Sequence, residues 1–90
     1  MVKVIVQHEV EDFVKWKKEF DADKPNLKKA GVKLKGLYTS FKNPNDVTMI
    51  FKAPDAELFD KIMSDPERQK AIENAGVIGG PKVSILNKVK

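Results

Sequence analysis

The chain has no cysteine, so it can form neither a disulfide framework nor a thiolate metal site. It has a single histidine, His8, which excludes a histidine-rich metal centre as well. Arginine is almost absent: Arg68 stands alone among many lysines. Proteins that read nucleic acid use arginine forks and exposed aromatic platforms, and here the net charge of +4 comes from lysines scattered among acids. Charge without pattern speaks to solubility, and no nucleic-acid partner is expected. No apolar run approaches the roughly 20 residues that cross a bilayer, and the first residues alternate like a strand with a charge at Lys3. The expectation is a cytoplasmic protein with no membrane partner. Ninety residues make one small domain, 1–90, whose core is thin and which has no covalent or metal staple. Oligomerisation is the remaining source of stability.

What is present is organised around the first twenty residues. Val2, Val4, Val6 and His8 alternate with period two, whereas Phe13, Trp16 and Phe20 follow the spacing of one helix face. A strand of about Val2 to His8 therefore leads into a helix capped by Asp12, whose carboxylate can accept from the first free N–H groups. Pro25 is expected to stop or kink that helix near Ala22–Asp23, with Lys24 to Ala30 a second short turn ended by Gly31. Val32 to Phe41 and Val47 to Ala53 read as a hairpin about Asn43–Pro44–Asn45–Asp46. With Pro44 and Asn45 central, Tyr38 would face Phe51 and Ser40 would face Met49. Asp55 caps the next helix, with Leu58, Phe59, Ile62 and Met63 inward. Asp65–Pro66 restarts it with Ala71, Ile72 and Ala75 inward, because proline suits a first helical position. Lys82 to Val89 is the last strand.

The order β-α-β-β-α-β predicts an α+β, ferredoxin-like domain: a four-stranded antiparallel sheet with its helices on one face. On these parities Ile5, Leu37, Thr39, Phe41, Ile50 and Leu86 occupy the uncovered face, a patch large for a soluble monomer. Two such sheets packed face to face would bury it, so a homodimer is expected.

The segments VIVQHEVEDFVKWKKEFD, NPNDVTMIFKAPD and SDPERQKAIENAGVIGGPKVSIL resemble short proteins of the dimeric α/β-barrel superfamily, similar to its antibiotic-biosynthesis monooxygenase-like and stress-responsive barrel domains. The pattern rests on His8, Val10, Asp12, Phe13, Trp16 and Lys17 at the start, on the Asn43–Pro44–Asn45 turn, and on Ala75, Gly76, Val77 and Gly79. The resemblance implies a homodimer forming a β-barrel, each protomer holding a cavity between sheet and helices. It also implies activities that range over cofactor-free oxygenases of polycyclic phenols, haem-degrading oxygenases, lactone isomerases and polyketide cyclases. Haem degraders of this kind carry their haem-ligating histidine on or near the helices, whereas His8 is on a strand, and no cofactor is expected.

His8 is the only side chain that would titrate near neutrality without perturbation, and it falls at the end of the first strand on the helix side, where it could deprotonate a phenol or a carbon acid α to a carbonyl. Equally, it could be a structural histidine bonded to a backbone carbonyl or to Asp12. Trp16, Phe20, Tyr38, Phe51, Phe59 and Met63 share the helix side by parity. They could line a pocket for a small apolar or aromatic ligand, with Tyr38 and His8 as its orienting groups, or simply fill the core. Asp12 and Asp65–Glu67 are better explained as helix starts than as an acid/base pair. The glycines at 76, 79 and 80 precede a strand and lack the lysine–hydroxyl pair of a phosphate cradle. Two functions stay open: an enzyme of cofactor-free oxygenase or cyclase type with His8 as base, and a non-catalytic dimeric binding or stress-response module whose pocket is filled by its own side chains.

Overall fold

The computed structural model describes residues 2–89. Its elements are β1 (Val2–Val10), α1 (Phe13–Lys29), β2 (Lys33–Thr39), β3 (Asp46–Ala53), α2 (Ala56–Ser64), α3 (Pro66–Asn74) and β4 (Val77–Leu86). The four strands form one antiparallel sheet in the order β2-β3-β1-β4. This is the ferredoxin-like α+β arrangement that the element order predicts, with the second helical segment divided at Asp65.

The alternation along the central strands decides which face is covered. Val4, Val6, His8 and Val10 of β1, with Val47, Met49, Phe51 and Ala53 of β3, are all buried under the helices. The helices answer with Trp16 and Leu27 from α1 and Phe59 from α2. Aromatic rings form a continuous chain through this layer, with centroids 5.0 Å apart for Trp16 and Phe20, 6.4 Å for Phe20 and Phe51, and 6.3 Å for Phe51 and Phe59. Each contact of this kind adds to area burial, so the chain ties both helices to the sheet.

Three expectations are corrected. Helix α1 passes through Pro25 without a break. Pro25 is exposed, so its ring meets solvent, and buried Leu27 holds the turn beyond it against the core. Strand β4 starts at Val77 and not at Lys82, taking the Gly79–Gly80–Pro81 stretch into the sheet. Gln7 faces Lys82 and Glu9 faces Ile78, so Gly79, Gly80 and Pro81 stand opposite the single residue His8 as a bulge, with Gly79 at φ +71°.

The third correction is the hairpin. Ser40 N–H donates to Asp46 O at 2.9 Å and Asn45 N–H to the Asn43 side chain at 3.0 Å, which makes a wider loop than a two-residue turn. Tyr38 therefore faces Thr48 and not Phe51, and Leu37 faces Met49. A further irregularity between Leu34 and Gly36 leaves Lys35 unmatched. Since side chains alternate faces, this odd shift exchanges them. Leu37 packs against the core, Thr39 lies opposite buried Val47, and Tyr38 is on the uncovered face, 58 % exposed. Phe41 lies in the loop, fully exposed. The uncovered face carries Ile5, Ile50, Tyr38 and Leu86.

Candidate active site between the first and third helices

The corner joining β1 to α1 is fixed by backbone groups that have no partner within their own elements. Val10 N–H donates to Asn45 O at 2.8 Å, and Glu11 N–H to Gly76 O at 2.8 Å. Asp12 caps α1 by accepting from Val14 N–H at 3.0 Å, while the Asn45 side chain accepts from Phe13 N–H at 3.1 Å. The first turn of α1 is thus anchored to the β2–β3 loop and to the end of α3. Trp16, one turn on, is delivered over His8.

His8 is 7 % exposed and meets the Trp16 ring edge-on, with centroids 5.4 Å apart. Its Nδ1 is buried and has no hydrogen-bond partner among the described residues. Neither a backbone carbonyl nor Asp12 holds it. Burial pushes its pKa below the ordinary imidazole value, and the carboxylate of Asp46 on the neighbouring strand offsets part of that shift. The ring is therefore neutral at pH 7 and able to accept a proton. A buried polar atom without a partner is uncommon enough to call for a reason.

Trp16 also lines a cleft of about 540 Å³ between α1 and α3, whose lining does not include His8. Trp16, Phe20, Ala71, Ile72 and Ala75 give it apolar walls. Glu19, Asn26, Asp65 and Glu67 line it as well, and Asp23 pairs with Arg68 from α1 to α3. The cleft thus sets an aromatic and aliphatic wall beside an equal number of charged and polar side chains, so a ligand would meet both kinds of surface.

Of the residues singled out from sequence, His8, Trp16 and Phe20 come together here. Phe51 and Phe59 join the same chain of rings but are buried core at 4 % and 2 % exposure. Met63 borders a different hollow, with Val77 and Val83 against β4. Tyr38 is on the opposite face of the sheet, folded over Gly36 so closely that a Cβ there would stand 2.6 Å from its ring. It cannot orient a ligand held beside His8 of its own protomer. Ala71, expected inward, is exposed on the cleft wall. Sequence reasoning missed Asp23, Asn26 and Asn45; the one available signal for the cleft's polar pair was that Arg68 is the sole arginine.

Solved structures share this architecture. The crystal structure of an antibiotic biosynthesis monooxygenase superposes with a TM-score of 0.76 over 100 % of both chains at 18 % identity. The fold is that of the antibiotic biosynthesis monooxygenase-like proteins. SnoaB from Streptomyces nogalater, a cofactor-independent oxygenase, shares this fold at a TM-score of 0.74 and 11 % identity, covering 99 % of this chain and 93 % of its own. An uncharacterized NIPSNAP domain protein from Burkholderia xenovorans does so at 0.69 and 12 %, covering 99 % and 95 %. No protein-family model matches the chain, and no curated protein matches it. Among the described residues, this version of the monooxygenase-like fold has no group of three or more His, Asp or Glu side chains placed to hold a metal ion, and no helix long and apolar enough to cross a membrane.

Proposed function

We propose that the protein binds a small, flat aromatic or apolar molecule in the cleft between α1 and α3 and acts on it without a cofactor, with His8 as the proton acceptor. The observation that carries this reading is the buried, unpartnered Nδ1 of His8, whose ring packs against Trp16, a lining residue of the cleft. A neutral imidazole in that position can take the proton of a phenol or of a carbon acid α to a carbonyl. The O–H or C–H bond breaks, its electron pair remains on the ligand as a phenolate or enolate, and the imidazole becomes the cation. From such an anion, dioxygen as co-reactant leads to oxygenation, while a carbonyl carbon of the same molecule leads to ring closure. The working unit in this reading is a homodimer, joined through the sheet face that carries Ile5, Ile50 and Leu86.

A specific observation also favours the second reading, a binding module without catalysis: His8 is not among the residues that line the cleft, and it is almost wholly buried. Two measurements on one sample divide them. Titration with 1-naphthol, followed by the indole N–H resonance of Trp16, the one indole in the chain, reports binding. Exchange of the α-hydrogens of 2-tetralone in deuterated buffer reports proton abstraction. The enzymatic reading expects both, and expects His8→Asn to lower the exchange rate by a factor of about 10²–10⁴ while leaving naphthol binding in place. Binding without exchange would establish the module instead.

A further inference from the structure

We propose that α3 is a lid on the aromatic cleft, latched shut by the ion pair between Arg68 on the lid and Asp23 on α1. This rests on the reading of the cleft as the binding site and names what governs access to it.

The first support is how lightly α3 is held. No residue of Pro66–Asn74 is buried, in contrast to α1 and α2, which contribute Trp16, Leu27 and Phe59 to the core. Ile72 is half-buried, and Ala71 faces the cleft. Segments with few buried apolar contacts open at lower cost than the rest of a domain.

The second is that both ends of α3 are built as joints. Asp65 has extended backbone angles, φ −62° and ψ 121°, and separates α2 from α3. At the other end Gly76 takes φ +89°, a conformation that glycine adopts without strain. Gly76 O is fastened to Glu11 N–H, so that joint is fixed to the β1–α1 corner while the helix before it is not.

The third is the latch. Arg68 meets both carboxylate oxygens of Asp23, with Nη2 at 3.2 Å from Oδ1, across 45 positions of sequence. Asn26 Nδ2 donates to the same Oδ1 at 3.2 Å, which aims the carboxylate toward α3. The other ion pairs among the described residues, Lys17–Asp21 and Lys24–Asp21, lie within α1. Forked guanidinium–carboxylate pairs are directional as well as strong. The Arg68 side chain is 19 % exposed, so salt screens this pair less than one in open solvent.

What the lid guards follows from the geometry. Trp16 borders the cleft yet is only 4 % exposed, and His8, which packs against it, is not part of the cleft lining. A ring that is to reach the imidazole needs α3 to swing out and Trp16 to turn into the space it leaves.

The test uses the full chain with no ligand. Trp16 is the sole tryptophan, so acrylamide quenching of the intrinsic fluorescence reads its accessibility directly, and amide hydrogen exchange reads α3. Asp23→Asn and Arg68→Gln are each expected to raise the quenching constant roughly threefold or more, with faster exchange confined to residues 66–74 and protection of β1 and β3 unchanged. The double variant is expected to be no more open than either single one, because the two residues act as one contact. Raising salt to 1 M is expected to increase quenching in the native chain and not in the variants. Unchanged quenching, additive opening in the double variant, or faster exchange spread through β1 and β3 would each overturn the latch. Binding of 1-naphthol to the native chain is a separate readout: the latch fails alone if naphthol binds while quenching is unaffected, and the binding reading fails alone if quenching responds but naphthol does not bind.

Discussion

Trp16 packs against His8 with ring centroids 5.4 Å apart and planes inclined at 64°. The arrangement has an energetic consequence. An imidazole covered in this way, with no partner on Nδ1, is stabilised as the neutral ring, and protonating it works against the fold.

Stability therefore depends on pH through His8. Its folded pKa is below the ordinary value of 6.5, chiefly by burial, with Asp46 acting in the opposite direction. The unfolded chain then takes up a proton at higher pH than the folded one. Stability is full above 6.5, falls as pH drops through that value, and levels off once the folded imidazole is also protonated. Urea midpoints measured between about pH 8 and pH 5, above the range where most carboxylates titrate, are expected to decline in the native chain and to stay flat in His8→Asn. Parallel profiles would mean that His8 has the same pKa in both states.

Asn45 carries more than its place in a turn suggests. Its carbonyl accepts from Val10 N–H and its side chain from Phe13 N–H, so it joins the hairpin loop to the start of α1. Asn45→Ala leaves a half-buried helix N–H without an acceptor and is expected to cost about 1–2 kcal/mol. Asn45→Asp keeps the acceptor and puts negative charge at the helix N-terminus, so it is expected to lose little. Thermal melts of the two variants distinguish this from a generic loop effect.

The sequence was informative where its periodicity met a single physical demand. The alternation from Val2 to His8 and the Phe13, Trp16, Phe20 spacing yield the strand, the helix and their mutual packing, because each must bury one face, although the strand runs on to Val10. His8, Trp16 and Phe20 were legible as neighbours for the same reason. The register of strand β2 was not legible, because it depends on the length of the loop from Ser40 to Asn45 and on the unmatched Lys35, neither of which leaves a periodic trace. One odd shift carried Tyr38 away from the site and brought Leu37 to the core. Residues such as Asp23 and Arg68 meet only through the tertiary arrangement, and their spacing of 45 has no local meaning.

Helix α1 tolerates Pro25 but gains nothing from it in hydrogen bonding. Proline has no N–H to donate to the carbonyl of Asp21, one turn earlier. Pro25→Ala restores that bond at an exposed position, against some added freedom in the unfolded chain. The net expectation is a gain of about 1 kcal/mol, or roughly 4–8 °C in Tm for a domain of this size. A loss of stability would mean that the proline shapes α1 for its contact with the sheet.

The uncovered sheet face gives the sharpest test, because two adjacent residues of β2 now have opposite roles. Leu37 faces Met49 and packs against the core, whereas Tyr38 faces Thr48 beside Ile50 and is mostly exposed. Leu37→Lys buries a charge with no partner and is expected to unfold the chain at any concentration. Tyr38→Lys and Ile50→Lys place the charge on the face that would join two sheets. They are expected to leave each protomer folded by circular dichroism while shifting sedimentation from dimer to monomer at micromolar concentration. Burying an interface of standard size, about 800 Å² per partner, favours association through its apolar share, and most of that gain is offset by lost translational freedom and side-chain ordering. One uncompensated charge per protomer is then enough to shift the balance, since symmetry places it in the interface twice. If the native chain sediments as a monomer at that concentration, sheet-to-sheet assembly is wrong. If Tyr38→Lys unfolds the chain as Leu37→Lys does, the assignment of faces along β2 is wrong instead.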